Sequence, residues 1–223
     1  MAFLEGLSPL LLVLFGWLLG LLTPQITASI RDRRRSDQLV KAIMQELVEF
    51  QYEVAITSFF LHLRVGEGLS DEFLSNEFLD RLISVLDGYR GPNRNELVNQ
   101  QAKLIRKAPP EARRAQRAKN SGGIHVPALS MPLFISHTSE LAICPPKFRF
   151  LALKVRHHVD FFNDSAARAL HWQEKTFDEL PEHKSKAVCQ NFDTTYYSMW
   201  RQAEIVVGVI ADLISEYPAA RGG

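Results

Sequence analysis

The chain has 223 residues, of which 46% are hydrophobic and 23% are charged, a balance typical of a globular domain with a substantial core. Its 26 basic and 25 acidic residues leave a net charge of +1, which excludes a global electrostatic field, so charged partners must be sought in local patches. Two cysteines, Cys144 and Cys189, are too few for a disulfide framework.

The first predicted element is an apolar helix at the amino terminus. Residues 7–22 carry no charge, and continuing to Ile30 gives about 36 Å of helix, which is enough to cross a bilayer. We expect Ser8 to cap this helix, Pro9 to occupy its first position and Pro24 to kink it. The sequence therefore predicts a single membrane span.

The charges that flank this span predict its orientation. Glu5 precedes it, without Lys or Arg, and a basic run follows it: Arg31, Arg33, Arg34 and Arg35. The positive-inside rule then places the amino terminus outside and residues 31–223 in the cytoplasm, with the span in the inner membrane. A cleaved signal peptide is the alternative, but it would need a positive first segment and a better cleavage site than Ile26-Thr27-Ala28.

The rest of the chain predicts an all-α fold, an antiparallel helical bundle over residues 31–223 behind an anchor over residues 1–30. Apolar residues recur every three or four positions, and no segment alternates as a strand. The predicted helices are 31–65, 71–88, 94–107, 147–177 and 185–217, with an irregular linker at about 108–146.

Local signals add detail to three of these helices. Asn93 followed by Glu96 indicates a cap for the helix at 94–107, and Leu97 and Leu104 are expected to face inward. The helix at 31–65 is expected to continue directly from the membrane span as one rod. In the later helices the predicted inward stripes include Leu170 and an aromatic cluster at Tyr196, Tyr197, Met199 and Trp200, which is more typical of core than of a cofactor site.

A basic segment lies between the third helix and the linker. Residues 103–119 hold seven basic residues against Glu111 alone, a local charge of +6. A solvated face is the first interpretation, contact with anionic lipid the second, and nucleic acid is not expected because aromatic stacking residues are missing. The predicted anionic-lipid contacts are Arg31, Arg33, Arg34, Arg35, Arg113, Arg114 and Arg117.

The linker is the least regular predicted part. Pro127 and Pro132 interrupt the apolar residues 126–135, so this stretch is expected to run extended across the surface. A short helix is expected from His137 to Cys144. In a reducing cytoplasm Cys144 and Cys189 are expected to be core thiols, and they would be the pair to bridge if the predicted topology is wrong.

The densest polar cluster is at residues 156–164. On a helix His157, Asp160 and Asp164 share one side, so they could bind a metal or transfer a proton if another helix supplied further ligands. The commoner alternative is the polar outer face of an amphipathic helix. No nucleophile elbow, P-loop or His-Glu-x-x-His motif occurs, and no cofactor is predicted.

Residues 124–163 combine an extended stretch, a short helix ending near Cys144, and Lys147-Phe148-Arg149-Phe150-Leu151 opening a helix that ends in His-His-Val-Asp-Phe-Phe-Asn. This layout resembles that of uncharacterised bacterial single-pass membrane proteins with a helical cytoplasmic domain. The resemblance is one of pattern over about forty residues, contains no catalytic motif and implies no activity.

These features favour a membrane-tethered helical interaction or regulatory module without catalytic activity, packing against itself or a partner. One alternative is a metal- or acid/base-dependent hydrolase centred on His157, Asp160 and Asp164, which requires a concave pocket around them. A second alternative is an oligomerising membrane-active effector, assembled through the Gly16-x-x-x-Gly20 pair in the span.

Overall fold

A computed structural model of the chain describes residues 2–64, 76–109, 111–112, 126–175 and 181–218. Every regular element in these ranges is helical and no strand occurs among them, which confirms the predicted all-α fold. The elements in chain order are α1 (Ala2–Arg64), α2 (Asn76–Gly88), α3 (Glu96–Lys107), α4 (Pro132–Ser136), a 3₁₀ helix (Thr138–Ile143), α5 (Pro146–Lys175) and α6 (Glu182–Glu216).

Helix α1 joins the apolar span to the bundle without a break, as the sequence predicted. Its 63 residues make a rod about 95 Å long. The prediction that Ser8 and Pro9 begin the helix is wrong, because α1 starts at Ala2 and tolerates Pro9 near its end, where few backbone bonds are at stake. The helix also runs through Pro24, and the Thr27 hydroxyl donates to the Thr23 carbonyl at 2.7 Å.

The second half of α1 packs antiparallel to α6, and α6 packs in turn against α5. Gln51 of α1 donates a buried hydrogen bond to the Val207 carbonyl of α6 at 2.9 Å, and Arg64 lies 3.9 Å from Asp193, nearer the start of α6. The predicted stripes form the core, with these side chains completely buried: Ile43, Met44, Leu47, Val54, Phe148, Phe162, Met199, Ala203, Ile210 and Leu213. Leu170 does not belong to that stripe and is 48% exposed.

Helices α2 and α3 form a separate pair against α1, and here two predictions are wrong. The N-cap of α3 is Asn95 rather than Asn93, with its side chain accepting from the Val98 N–H. Leu97 and Leu104 point outward and are 71% and 68% exposed. The inward face contains Val98 and Ile105, which share the predicted stripe, together with Asn99 and Ala102, and the Asn99 amide donates to Asp87 of α2 at 2.8 Å.

The part of the linker from residue 126 onward is partly helical and is held against α1 and α5. The predicted extended stretch holds only to Met131, because Pro132 takes the first position of α4 rather than interrupting it. Asn163 of α5 donates to the Leu129 carbonyl and accepts from the Leu129 N–H, both at 2.8 Å. The 3₁₀ helix then occupies the place of the short helix predicted to end near Cys144.

Candidate functional site where the apolar half of α1 meets the bundle

The apolar half of α1 has no protein around it. An 18-residue window near the start of the described helix has a mean hydropathy of 1.5, and none of it is buried. The large apolar side chains described between Leu11 and Ile30 are all exposed. Nothing lies within 4 Å of the place where a Cβ would stand on Gly16 or Gly20, so this face of the helix is open. Length and composition suit a membrane span.

The basic run after the span divides into two groups. Arg31, Arg33 and Arg34 are exposed on α1. Arg35 instead reaches across to the 3₁₀ helix, where its Nη2 lies 2.8 Å and its Nε 3.2 Å from Glu140 Oε2. Arg35 therefore connects the start of the bundle to the linker while its side chain remains 62% exposed, and contact of the four arginines with anionic lipid stays a prediction.

Glu140 is the centre of a small charged cluster at this end of the bundle. His137 Nδ1 lies 3.2 Å from its second oxygen, Oε1. The hydrogen bonds from His137 and Arg35 hold the pKa of the Glu140 carboxyl below its ordinary value. The carboxylate thus stays charged over a wide pH range and ties the 3₁₀ helix to the base of the bundle.

Another carboxylate, that of Glu46 in α1, positions helix α4, which precedes this cluster in the chain. Glu46 accepts from the backbone N–H of Leu133 at 2.8 Å and from that of Phe134 at 2.7 Å. The first N–H groups of a helix have no partner within the helix, and α4 has no cap from its own Met131 side chain. Glu46 therefore acts as the cap of α4 from another element.

The two thiols differ in their surroundings. Cys144 is buried, as expected, and desolvation raises the pKa of its thiol, while a hydrogen bond with the Ser36 side chain opposes the rise. Cys189 is exposed on α6, so the expectation that it is a core residue is wrong. Both are free, and the bridge considered from the sequence is not formed.

No protein-family model matches the chain, and neither the curated proteins nor the solved structures contain a match to it. The chemistry must therefore be judged from its own geometry. The layout of residues 124–163 remains a resemblance of pattern, and no activity is transferred through it.

The polar cluster on α5 lies on the outer surface. His157, Asp160 and Asp164 are all exposed. The His157 ring packs edge-on against Phe161, with 4.7 Å between centroids, and Asp160 lies 3.8 Å from Arg156 on its own helix. No group of three or more His, Cys, Asp or Glu residues suited to a metal occurs in the described part of the chain. This geometry provides none of the convergent ligands that the hydrolase interpretation requires.

A cavity of about 320 Å³ lies on the other side of α5, between that helix, residues 126–128 and α6. Its lining is mainly alanine and leucine, with polar groups from Asn163, Gln173 and Tyr196. Asn163 is already occupied in holding Leu129. None of the three acid/base candidates lines this cavity, so it does not form an active site with them.

The basic segment begins with residues that already have partners. Arg106 makes a bidentate contact with Asp80 at 2.7 and 3.0 Å, and Lys103 lies 2.7 Å from Asp87. These pairs join α3 to α2. The Arg106 contact lowers the pKa of Asp80, and hydrogen bonds from Asn99 and then Lys103 lower the pKa of Asp87. The local charge of +6 therefore overstates what this segment offers to a ligand. Arg113, Arg114 and Arg117 lie outside the described residues, and their contact with lipid stays a prediction.

The sequence did not indicate the roles of Glu46 and Glu140, the two carboxylates that organise the end of the bundle nearest the apolar half of α1. Each has a partner that is distant in sequence, with 87 residues between Glu46 and Leu133 and 105 residues between Arg35 and Glu140. No local motif marks such pairs. Their only signal is that each is an acidic residue close to a predicted helix boundary or to the edge of an apolar stripe.

Proposed function

We propose that the protein is a single-pass, membrane-tethered helical interaction module that works by packing rather than by catalysis. The observation that carries this proposal is the continuity of α1, whose first half is apolar and exposed and whose second half lies in the bundle core. A helix that belongs to both parts holds the bundle at a fixed height and tilt relative to the membrane. Such a device suits regulated assembly better than turnover of a substrate.

We propose further that the amino terminus lies outside and residues 31–223 lie in the cytoplasm, at the inner membrane. The support is the charge difference across the span, with Glu5 before it and exposed Arg31, Arg33 and Arg34 after it. These three arginines would also bind the anionic headgroups of the cytoplasmic leaflet.

Cys189 provides a native reporter for this topology, since it is exposed while Cys144 is buried. A membrane-impermeant maleimide should label the full chain in inside-out membrane vesicles and leave it unlabelled in right-side-out vesicles. The Cys189→Ser protein should not be labelled in either preparation, which checks that Cys144 is protected. Labelling in right-side-out vesicles alone would reverse the proposed orientation.

The second part of the proposal is that the module associates with a second copy of itself. Two surfaces favour this: the open Gly16 and Gly20 face of the span, and the outward face of α3 with Leu97 and Leu104. Confinement to a membrane raises the effective concentration of both. The Gly16 and Gly20 face is also compatible with the alternative function, an oligomerising membrane-active effector, and that function would additionally require leakage from vesicles.

Energy transfer between two labelled copies of the full chain in liposomes tests the association. We expect the Gly16→Ile, Gly20→Ile double variant to reduce the transfer if the span is the interface, and the Leu97→Gln, Leu104→Gln double variant to reduce it if α3 is. Each double variant serves as the control for the other. Absence of transfer for the unaltered chain at every lipid ratio would refute self-association, and dye leakage would favour the membrane-active alternative.

A further inference from the structure

A cavity of about 220 Å³ lies between α1, α2 and α6. Apolar side chains from each helix form part of its wall, among them Val48, Val85 and Ile214. Gln51 and Ser215 add polar groups, and the described residues that line the cavity include no Lys, Arg, Asp or Glu. An apolar cavity of about 150 Å³ holds one benzene molecule, so this cavity is large enough for a compact ligand of that size or somewhat larger.

The cavity lies at the carboxyl ends of two helices that run in the same direction. Phe78 of α2 stacks on His62 of α1, with 4.4 Å between ring centroids. Tyr89, which directly follows α2, stacks on Tyr52, an earlier residue of α1, at 3.9 Å. Helix α2 is therefore antiparallel to α1, and so is α6. The last residues of α2 and the last turns of α6 line the cavity together.

Neither of these two helix ends has a cation of its own. Helices α1, α3 and α5, the other helices longer than ten residues, have basic residues in their last turns, whereas α2 and α6 have none. The last carbonyl groups of a helix have no partner within it, and together they carry a partial negative charge of about half an elementary charge. Two such ends at one cavity therefore favour a positive charge inside it.

Gln51 provides a hydrogen-bond acceptor in the same cavity. It is only 6% exposed, and its Nε2 donates to the Val207 carbonyl at 2.9 Å. Its Oε1 accepts no hydrogen bond from the residues that the structure describes, so this oxygen is available to an N–H donor of a ligand. Burial, and next the Glu49 carboxylate, raise the pKa of the Tyr89 hydroxyl, which shows that an acidic group acts on the same wall.

We propose that this cavity binds a small organic cation, a primary ammonium group on an apolar body of about six to nine heavy atoms. The N–H groups would face Gln51 Oε1 and the carbonyl ends of α2 and α6, and the apolar body would contact Val48, Val85 and Ile214. A divalent metal ion does not suit this site, because no carboxylate lines it. Since the ligand would contact three helices, it would strengthen the attachment of α2 to α1 and α6.

A matched pair of probes and three variants test the site in the full chain. The protein in nonionic detergent is titrated with cyclohexylammonium or with cyclohexanol, which has nearly the same shape and no charge, and heats are measured by calorimetry against detergent alone. Ser215→Lys and Ser84→Lys each place a tethered ammonium group at the cavity, because both serines are exposed and line it. Thr194→Lys adds the same charge to an exposed site in the middle of α6, about 32 Å from Ser215 along the helix.

We expect cyclohexylammonium to bind about ten times more tightly than cyclohexanol, because the two helix ends interact with the charge. Ser215→Lys and Ser84→Lys should each weaken binding of the amine at least about tenfold, since the lysine supplies the missing cation, and Thr194→Lys should leave it unchanged. Equal affinity for the amine and the alcohol, or binding of neither, would overturn the cation site. Unchanged binding of the amine to either lysine variant, with its circular dichroism also unchanged, would place the amine elsewhere and would overturn it as well.

Discussion

The two halves of α1 share one backbone and have opposite surroundings. From Leu11 to Ile30 the large apolar side chains described are 40–72% exposed, whereas Ile43 and Leu47 are completely buried. The first half is apolar around its whole circumference, and the second half has an apolar stripe with charged residues beside it. The comparison shows that the pattern around a helix, rather than its propensity, distinguishes the two halves: the first half lies outside the bundle, where lipid is the proposed surrounding, and the second half packs in the bundle core.

The sharpest way to test this difference is to make the same deletion in both halves. Leu47→Ala should lower the free energy of unfolding of the bundle by about 2–5 kcal/mol, because the lost methyl groups leave a cavity in a closely packed core. Leu18→Ala should change it by less than about 0.5 kcal/mol, because Leu18 lies outside the bundle. Denaturant titration of the full chain in mild detergent, followed by near-ultraviolet circular dichroism, measures both. Equal destabilisation by the two changes would contradict the division of α1.

Introduction of a charge should disturb the first half of α1, and the quantity affected is insertion into the membrane. Leu18→Arg places a guanidinium in the middle of the span, where it should make insertion less favourable by about 2.5–3.5 kcal/mol. Leu97→Arg adds the same group to an exposed site on α3, and insertion should be unaffected. The fraction of each protein that resists alkaline extraction from membranes measures the effect. Retention of Leu18→Arg at the level of Leu97→Arg would show that the first half of α1 does not span the bilayer.

Burial was predictable on a helix that has one apolar stripe facing the core. Phe192, Met199 and Ile210 recur at helical spacing, and all three are buried as predicted. Prediction failed on α3, where Leu97 and Leu104 also recur at helical spacing but face outward. Asn99 is buried on the inward face and bonds to Asp87, and the sequence pattern alone does not show that a polar residue has a partner on another helix.

The candidate site was less predictable than the fold, for the same physical reason. The apolar span and its arginines are local features, so composition and charge located them. Asn95 rather than Asn93 caps α3, and the Tyr52 hydroxyl of α1 contacts the Asn95 N–H at this position. Contacts of this kind join residues that are distant in sequence, and they decide between local alternatives of similar energy.

A smaller effect is expected at the junction where the buried half of α1 positions α4. Glu46→Ala removes the acceptor of the Leu133 and Phe134 N–H groups and should cost about 1–2 kcal/mol, as loss of a helix cap does. Glu49→Ala is the control, since Glu49 is an exposed carboxylate one turn farther along α1. Hydrogen exchange at the amides of 133 and 134 should accelerate only in the Glu46 variant. Unchanged exchange there would show that α4 does not depend on this cap.

The mildest perturbation is acidification, which should act on the boundary between the two halves of α1. Hydrogen bonds from His137 and Arg35 lower the pKa of Glu140 in the folded chain. A carboxyl whose pKa is lowered by folding contributes stability above its unfolded pKa, about 4.3 for Glu, and this contribution is lost as pH falls through the lowered folded value. Asp80 and Asp87 have lowered pKa values for the same kind of reason, but they act between α2 and α3.

Glu140→Gln and Asp80→Asn therefore separate the two acid-sensitive regions. Both variants should weaken the loss of stability between about pH 5 and pH 3, because each removes one carboxyl that must be protonated. Only Glu140→Gln should also release the 3₁₀ helix from Arg35, which hydrogen exchange at residues 138–143 would detect at neutral pH. If Asp80→Asn accelerated that exchange equally, the 3₁₀ helix would not be held by the Arg35 contact. The end of the bundle nearest the span would then owe its position to apolar packing alone, as the core of α1, α5 and α6 does.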